Sequence, residues 1–448
     1  MSLFIAVNWL LVIATAMALL VAIKRDRSLL LKPSTMAILF FHVMCQWGTA
    51  VEAGTIESAL PQPWVFVLLS HGFPLLGLAV SLLIGRRAAR ALWTRVTDRR
   101  PVELPARNKA LALLATCFVL FIVIYLIRVP FRSTGLYKIV FAHTTPDAAA
   151  AARDMSVKFL DNVFLRYGHN IMMAVFAPLL AVLVLQMLVL HRQKRKWLWT
   201  SFDLACLAAV LLASSISGAR SYSAGIIMVV LFAALLRRGF PVKPHHLIVA
   251  LVLTLTFPTL LSLLREGQHI TPEKFFAYLR GSTLERVMII PMKTGLYHVH
   301  YAQEYGYFGI QAIPRLAAMM NVEPLNVPSF VTKVYFGDPL ATAWANASYV
   351  YAYYSYFGLI AFIPCLIGLW LLDLSLLVYR RLSDALLIPC AASIAIGVNI
   401  FSSVEYTVGL FTFGILLLLL VSWAVDRLVL GIRPFAGRGR RPTPDGNL

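Results

Sequence analysis

The run ALALLATCFVLFIVIYLI, residues 110–127, contains no charged residue. As a helix rising ~1.5 Å per residue, it is about as long as the ~30 Å hydrocarbon core of a bilayer is thick. Comparable runs recur along the chain and set expected spans at 3–23, 35–53, 64–84, 110–128, 171–190, 202–219, 222–236, 246–264, 348–372, 386–403 and 407–425. With 60% hydrophobic and 13% charged residues over 448 positions, a soluble fold could not cover this much apolar surface. The runs are continuous rather than alternating, which excludes an outer-membrane barrel. The expected fold class is an all-α polytopic integral membrane protein with about eleven transmembrane helices.

A net charge of +20 raises a nucleic-acid reading, but the placement of the charge removes it. Basic residues cluster in short segments between spans: KRDRSLLLK, GRRAARALWTRVTDRR, HRQKRKW, LRRG and YRR. That is the positive-inside pattern, which orients the helices and calls for no nucleic acid partner. It puts the N-terminus outside and the C-terminus in the cytoplasm. Most of the 40 basic residues then lie in cytoplasmic segments, and most of the 20 acids lie outside. The first apolar run lacks a basic leader region and reads as a retained helix. Cys45, Cys117, Cys206, Cys365 and Cys390 all fall in apolar runs without a CxxC neighbour, so they read as small buried hydrophobes.

The expected organisation is residues 1–264 with eight spans and an outer loop at about 129–170, then a large outer loop over 265–345. Spans nine to eleven follow in 346–426, and a basic, disordered cytoplasmic tail, 427–448, touches anionic lipid. Within the large loop, helices are expected at 272–280 and 282–305, before the Pro-rich stretch NVEPLNVPSF. Loops of this length carry function.

Basic residues on the outer side are the ones orientation does not explain. Arg128, Arg220 and Arg265 each end an expected span, and Arg280, Arg286, Lys293 and Arg315 follow in the large loop. Singly, each reads as snorkelling to the headgroups. Together they read as an anion site, since guanidinium forks bind the oxygens of a lipid diphosphate bidentately. Ser217, Gly218, Ala219 and Ser221 around Arg220 leave room for a headgroup or a neighbouring helix. In the segment 282–305, helical spacing puts Arg286, Lys293, Tyr297, His300 and Glu304 on one stripe, approximately, because Pro291 intervenes. A plain amphipathic helix on the bilayer surface has the same pattern. The sharper reading is glycosyl transfer: cations stabilise a departing diphosphate, and His300 or Glu304 takes the acceptor hydroxyl proton. His169, His269 and His298 read as polar loop residues. Tyr349, Tyr351, Tyr353, Tyr354 and Tyr356 read as an interfacial belt, with stacking on sugar rings as the alternative.

The motif SISGARSYSAGIIMVVL resembles the serine- and glycine-flanked arginine motif of O-antigen polymerases and ligases. ERVMIIPMKTGLYHVHYAQEYGYFG resembles the arginine-led outer-loop segment of Wzy-type oligosaccharide repeat-unit polymerases. GDPLATAWANASYVYAYYSYFGLIAFI, which holds Gly337, Asp338 and Asn346, is similar to the segment leading into a Tyr- and Gly-rich helix in those proteins. The resemblance spans about residues 210–370. It implies a GT-C-like membrane glycosyltransferase fold in the bacterial inner membrane. It also implies block transfer of glycan from undecaprenyl diphosphate onto a lipid-linked repeat unit, with Arg220 and Arg286 as diphosphate or glycan contacts. Such proteins are thought to use no metal or other cofactor, and they work with a separate chain-length-regulating co-polymerase. An O-antigen ligase acting on lipid A core is the nearest alternative. A transferase using lipid monophosphate sugars would draw on Glu52 or Glu57, and a lipid-linked glycan flippase is the non-enzymatic option.

Overall fold

In the computed structural model, residues 2–97, 105–141, 163–216, 220–238, isolated positions between 252 and 263, 271–337, 348–400, 410 and 414–430 are described. Every described element is helical. Among the described residues, seven helices are long and apolar enough to cross a membrane: Leu3–Arg25, Pro33–Val51, Pro63–Leu83, Arg107–Arg128, Leu165–Gln193, Trp197–Ser214 and Tyr349–Tyr379. Tyr222–Ala234 and Asp384–Asn399 are shorter apolar helices, and Ile415–Leu430 closes the described chain. Most of the expected span 246–264, the tail beyond Leu430, Ser217, Gly218, Ala219, Arg265, His269, Asp338 and Asn346 lie outside the described residues, while the first four residues of the expected disordered tail are the last of the helix Ile415–Leu430.

The two ends of the bundle are told apart by what joins there. At one end Asp26 receives Arg86 Nε at 2.6 Å and Arg90 Nε at 2.8 Å, Arg95 pairs with Asp384 at 2.6 Å, and Asp426 accepts from the Ser383 amide. This is the basic end. At the other, the loop end, the Ser2 hydroxyl donates to Glu57 at 2.7 Å, and the Leu136 amide donates to the Ile216 carbonyl at 3.2 Å. Between them Ile13, Leu120, Val123 and Ile127 are exposed, as side chains facing lipid must be.

The guanidinium groups around Asp26 set an acid limit. Burial pushes its carboxyl up, but hydrogen bonds from Ser28, Arg86 and Arg90 outweigh it and hold the group below its ordinary value of 3.8. A carboxyl depressed in the folded state contributes stability above its unfolded pKa, and that contribution is lost as pH falls through the folded value. Asp26→Asn is therefore expected to flatten the acid limb of thermal unfolding below about pH 4. Parallel limbs for variant and wild type, measured in detergent, would refute this.

Several boundaries move. The helix from Val163 runs without a break into the span, so His169 is not a loop residue but a buried one, 1% exposed. Arg220 does not end a span: that helix stops at Ser214, and Arg220 opens the next, Arg220–Arg238. The expected helices 272–280 and 282–305 are one run, because Pro272–Tyr278 passes through a wide π-helical stretch, Leu279–Ile289, into Ile290–Tyr305. The Pro-rich stretch ends in a helix, Val327–Phe336, capped by the Asn326 side chain and closed by Gly337 at φ 72°. Tyr349, Tyr351, Tyr354 and Tyr356 are not an interfacial belt but core, each at most 4% exposed. Cys45, Cys365 and Cys390 are buried and free, while Cys117 and Cys206 are only half-buried.

Small residues let the loop-end run approach the bundle. Tyr351 stacks on Phe66 at 5.0 Å and bonds the Ser70 hydroxyl at 2.8 Å, which fixes the ring against Gly295. A Cβ on Gly295 would lie 2.3 Å from that ring. Gly295→Ala is expected to destabilise by about 1–3 kcal/mol or more, as overpacked cores do. An unchanged unfolding midpoint would refute that close approach.

Two wide π turns, His42–Gln46 and Leu68–Gly72, aim polar groups at one another inside the first three helices. Trp47 Nε1 donates to His42 Nε2 at 3.2 Å, which leaves His42 Nδ1 to donate to Gln46 Oε1 at 2.5 Å. The Gln46 amide then donates to His71 Nδ1 at 3.1 Å, and His71 Nε2 donates to Asn8 Oδ1 at 3.0 Å. Each link fixes the next tautomer, so the chain of bonds is satisfied with both imidazoles neutral.

Candidate functional site

The Ile290–Tyr305 helix is the centre of the loop-end layer. Pro291 sits in its first turn, at the join where the π-helical stretch passes into regular α-helix. Beyond it Lys293, Tyr297, His300 and Glu304 recur at helical spacing on one stripe. Arg286 leaves that stripe in register, because the preceding turns are π-helical; Arg286 and Arg280 are both exposed.

The stripe is bonded from two sides. Lys293 Nζ lies 3.4 Å from Glu52 Oε1, at the end of the Pro33–Val51 helix. On the other side Val327–Phe336 packs Tyr335 and Phe336 around Tyr297, at ring separations of 4.9 and 5.2 Å. The Tyr335 hydroxyl lies 2.6 Å from His300 Nδ1. Burial raises that hydroxyl well above the ordinary phenol range, and Tyr305 and the Glu304 carboxylate raise it further, so Tyr335 stays a neutral hydroxyl. If His300 Nδ1–H donates to it, the lone pair is left on Nε2, the arrangement a general base needs. Glu304, one turn on, is exposed.

The helix is pinned as a rigid mount. Gln303 exchanges two bonds of 3.1 Å with the backbone of Gln62. Tyr301 stacks on Phe308 at 4.6 Å, and the Phe308 amide donates to the Ser355 carbonyl at 3.0 Å. His298, read from sequence as a polar loop residue, is 1% exposed and lies 3.2 Å from the Ser355 hydroxyl.

Lys293, Tyr297, His300 and Glu304 are thus brought together, with Glu52 and Tyr335 added. The helix that Arg220 opens packs on Ala177–Gln193 and Asp384–Ile400, whereas Ile290–Tyr305 packs on Tyr349–Phe357 and the Pro33–Val51 helix. Tyr335 was missed because its partner is remote in sequence, although Asn326, Pro328 and Gly337 are readable start and stop signals for its helix. Among the described residues, no three His, Cys, Asp or Glu side chains gather as a metal ligand set. Comparison with family models, with curated proteins and with solved structures finds no match to this chain.

Proposed function

We propose that the protein is a membrane glycosyltransferase that polymerises undecaprenyl-diphosphate-linked repeat units at the outer face of a bacterial inner membrane. The observation that carries this reading is the His300–Tyr335 pair, 2.6 Å apart, on one stripe with Lys293 and Glu304 in a layer above an apolar helical bundle. In the proposed step the bond from sugar C1 to the diphosphate oxygen breaks as C1 bonds to the acceptor hydroxyl. His300 Nε2 takes the hydroxyl proton, and undecaprenyl diphosphate leaves with the bonding electrons. Glu304 is the alternative base. Arg220, Arg265, Arg280 and Arg286 are assigned to the diphosphate and glycan, and Tyr297 to a sugar face.

This proposal includes a GT-C-like fold, eleven crossings with the N-terminus outside, and a co-polymerase that sets chain length. The test is reconstitution in liposomes with a lipid-linked repeat unit, followed by sizing of the glycan. A ladder of longer lipid-linked chains is expected. Transfer only when lipid A core is supplied would make the protein an O-antigen ligase instead, and leaflet movement without new bonds would make it a flippase.

A further inference from the structure

Three helices reach the loop end together around His169. Arg107–Arg128 brings Tyr125 one turn below Arg128, Leu165–Gln193 brings His169 one turn below Arg166, and Arg220–Arg238 brings Tyr222 in its first turn. The His169 ring stacks on Tyr125 at 5.4 Å and meets Tyr222 edge-on at 6.1 Å. The Tyr222 hydroxyl donates to Asn170 Oδ1 at 2.8 Å. His169 is 1% exposed, and among the described residues neither of its ring nitrogens has a hydrogen-bond partner.

That is an expensive way to fill an aromatic slot. An imidazole carries at least one donor and one acceptor, and burying both unmade costs free energy that a phenyl ring would not. Other described features of the junction favour negative charge. The first N–H groups of Arg220–Arg238 lack intrahelical partners, and the helix dipole is positive at that end. Its first turn holds no acidic residue. Arg128 and Arg166 are exposed one turn above the aromatic cluster.

We propose that this junction binds a phosphate group at headgroup level, with His169 hydrogen-bonding one of its oxygens. This rests on the reading of the protein as an enzyme of lipid-linked substrates, and it makes His169 a binding residue distinct from the His300 stripe. Tyr222 closes edge-on over the imidazole while bonded to Asn170, so a phosphate reaching His169 requires its hydroxyl to leave Asn170.

The test uses His169→Phe, which keeps the stack on Tyr125 and removes both nitrogens. Thermal unfolding of the purified full-length protein is followed with undecaprenyl diphosphate in the micelle, and separately with inorganic diphosphate. The variant without ligand is expected to melt at or above the wild-type midpoint. Undecaprenyl diphosphate is expected to raise the wild-type midpoint, with affinity falling about 10- to 100-fold in the variant, as for loss of one charged hydrogen bond. The same loss seen with inorganic diphosphate alone would still establish the site, for a soluble anion. A lowered midpoint without ligand, or wild-type affinity for both probes, would overturn the proposal. Because the readout is binding, a protein that makes no polymer yet shows the His169-dependent shift keeps this site and loses the proposed reaction. A polymerase with unaltered affinity in His169→Phe does the reverse.

Discussion

Asp373→Ala is expected to lower the unfolding free energy by about 3–5 kcal/mol, the usual cost of stranding one partner of a buried ion pair. Asp373 Oδ2 lies 2.9 Å from Lys32 Nζ, and the two side chains are 4% and 0% exposed. The lysine side chain is fully buried. It also donates to the Ser81 carbonyl and, at 2.5 Å, to the Ile84 carbonyl, so its remaining protons are held by the Pro63–Leu83 helix and its end. Ser34 donates its amide to Asp373 Oδ1 at 3.0 Å and its hydroxyl to Oδ2 at 2.8 Å. One carboxylate thus ties the start of the second spanning helix to the far end of Tyr349–Tyr379. Without it, an uncompensated ammonium stays in an apolar interior or drags its helix toward water.

The double variant Lys32→Met with Asp373→Ala removes both charges and is expected to recover most of the loss. Recovery is incomplete, because the Ser34 donors and two carbonyls lose their partners. Unfolding midpoints for the singles and the double, in one detergent, form the cycle that isolates the pair. Single variants as stable as wild type would show that water reaches the lysine.

This pair also marks where the sequence stops being informative. Lys32 reads as the last cation of a cytoplasmic segment and Asp373 as an acid near the end of a span, and both placements agree with the basic end of the bundle. Their pairing across more than 300 residues is carried by no local pattern. The same holds for burial. Leu3–Arg25 and Leu165–Gln193 have nearly equal mean hydropathy, yet 28% of the first window and 72% of the second are buried. In water an amphipathic stripe would separate them. In lipid the solvent is as apolar as the core, so composition places a helix in the membrane without saying which face meets protein. The stripe at Lys293, Tyr297, His300 and Glu304 was legible because it lies in a loop, where helical spacing of polar groups still carries meaning. Arg286 fell out of it because nothing in LRGSTLERVMI announces a π-helical register. The His42–Gln46–His71 chain was invisible for the opposite reason. Single polar letters in apolar runs look like noise until the wide turns that aim them at one another are seen.

For the proposed reaction, His300→Ala is expected to lower chain synthesis by about 10²–10⁴-fold, the contribution of a positioned base. Its effect should fall on kcat more than on KM, since proton removal belongs to the transition state rather than to substrate binding. Tyr335→Phe is the informative companion. It keeps the ring packed on Tyr297 and His300 and removes only the hydroxyl 2.6 Å from Nδ1. Losing one hydrogen bond of about 1 kcal/mol should cost five- to tenfold, and the loss should fall on kcat rather than KM. Tyr335 acts through His300, so Tyr335→Phe in a His300→Ala background should cost nothing further. Glu304→Gln separates the two candidate bases. If Glu304 is the base, its loss reproduces the full deficit, while His300→Ala leaves synthesis near the wild-type rate. Should His300→Ala and Tyr335→Phe both synthesise chains at the wild-type rate, their bond is structural. The Ile290–Tyr305 helix is then a mount for groups outside the stripe, and the arginines of the loop end become the first place to look.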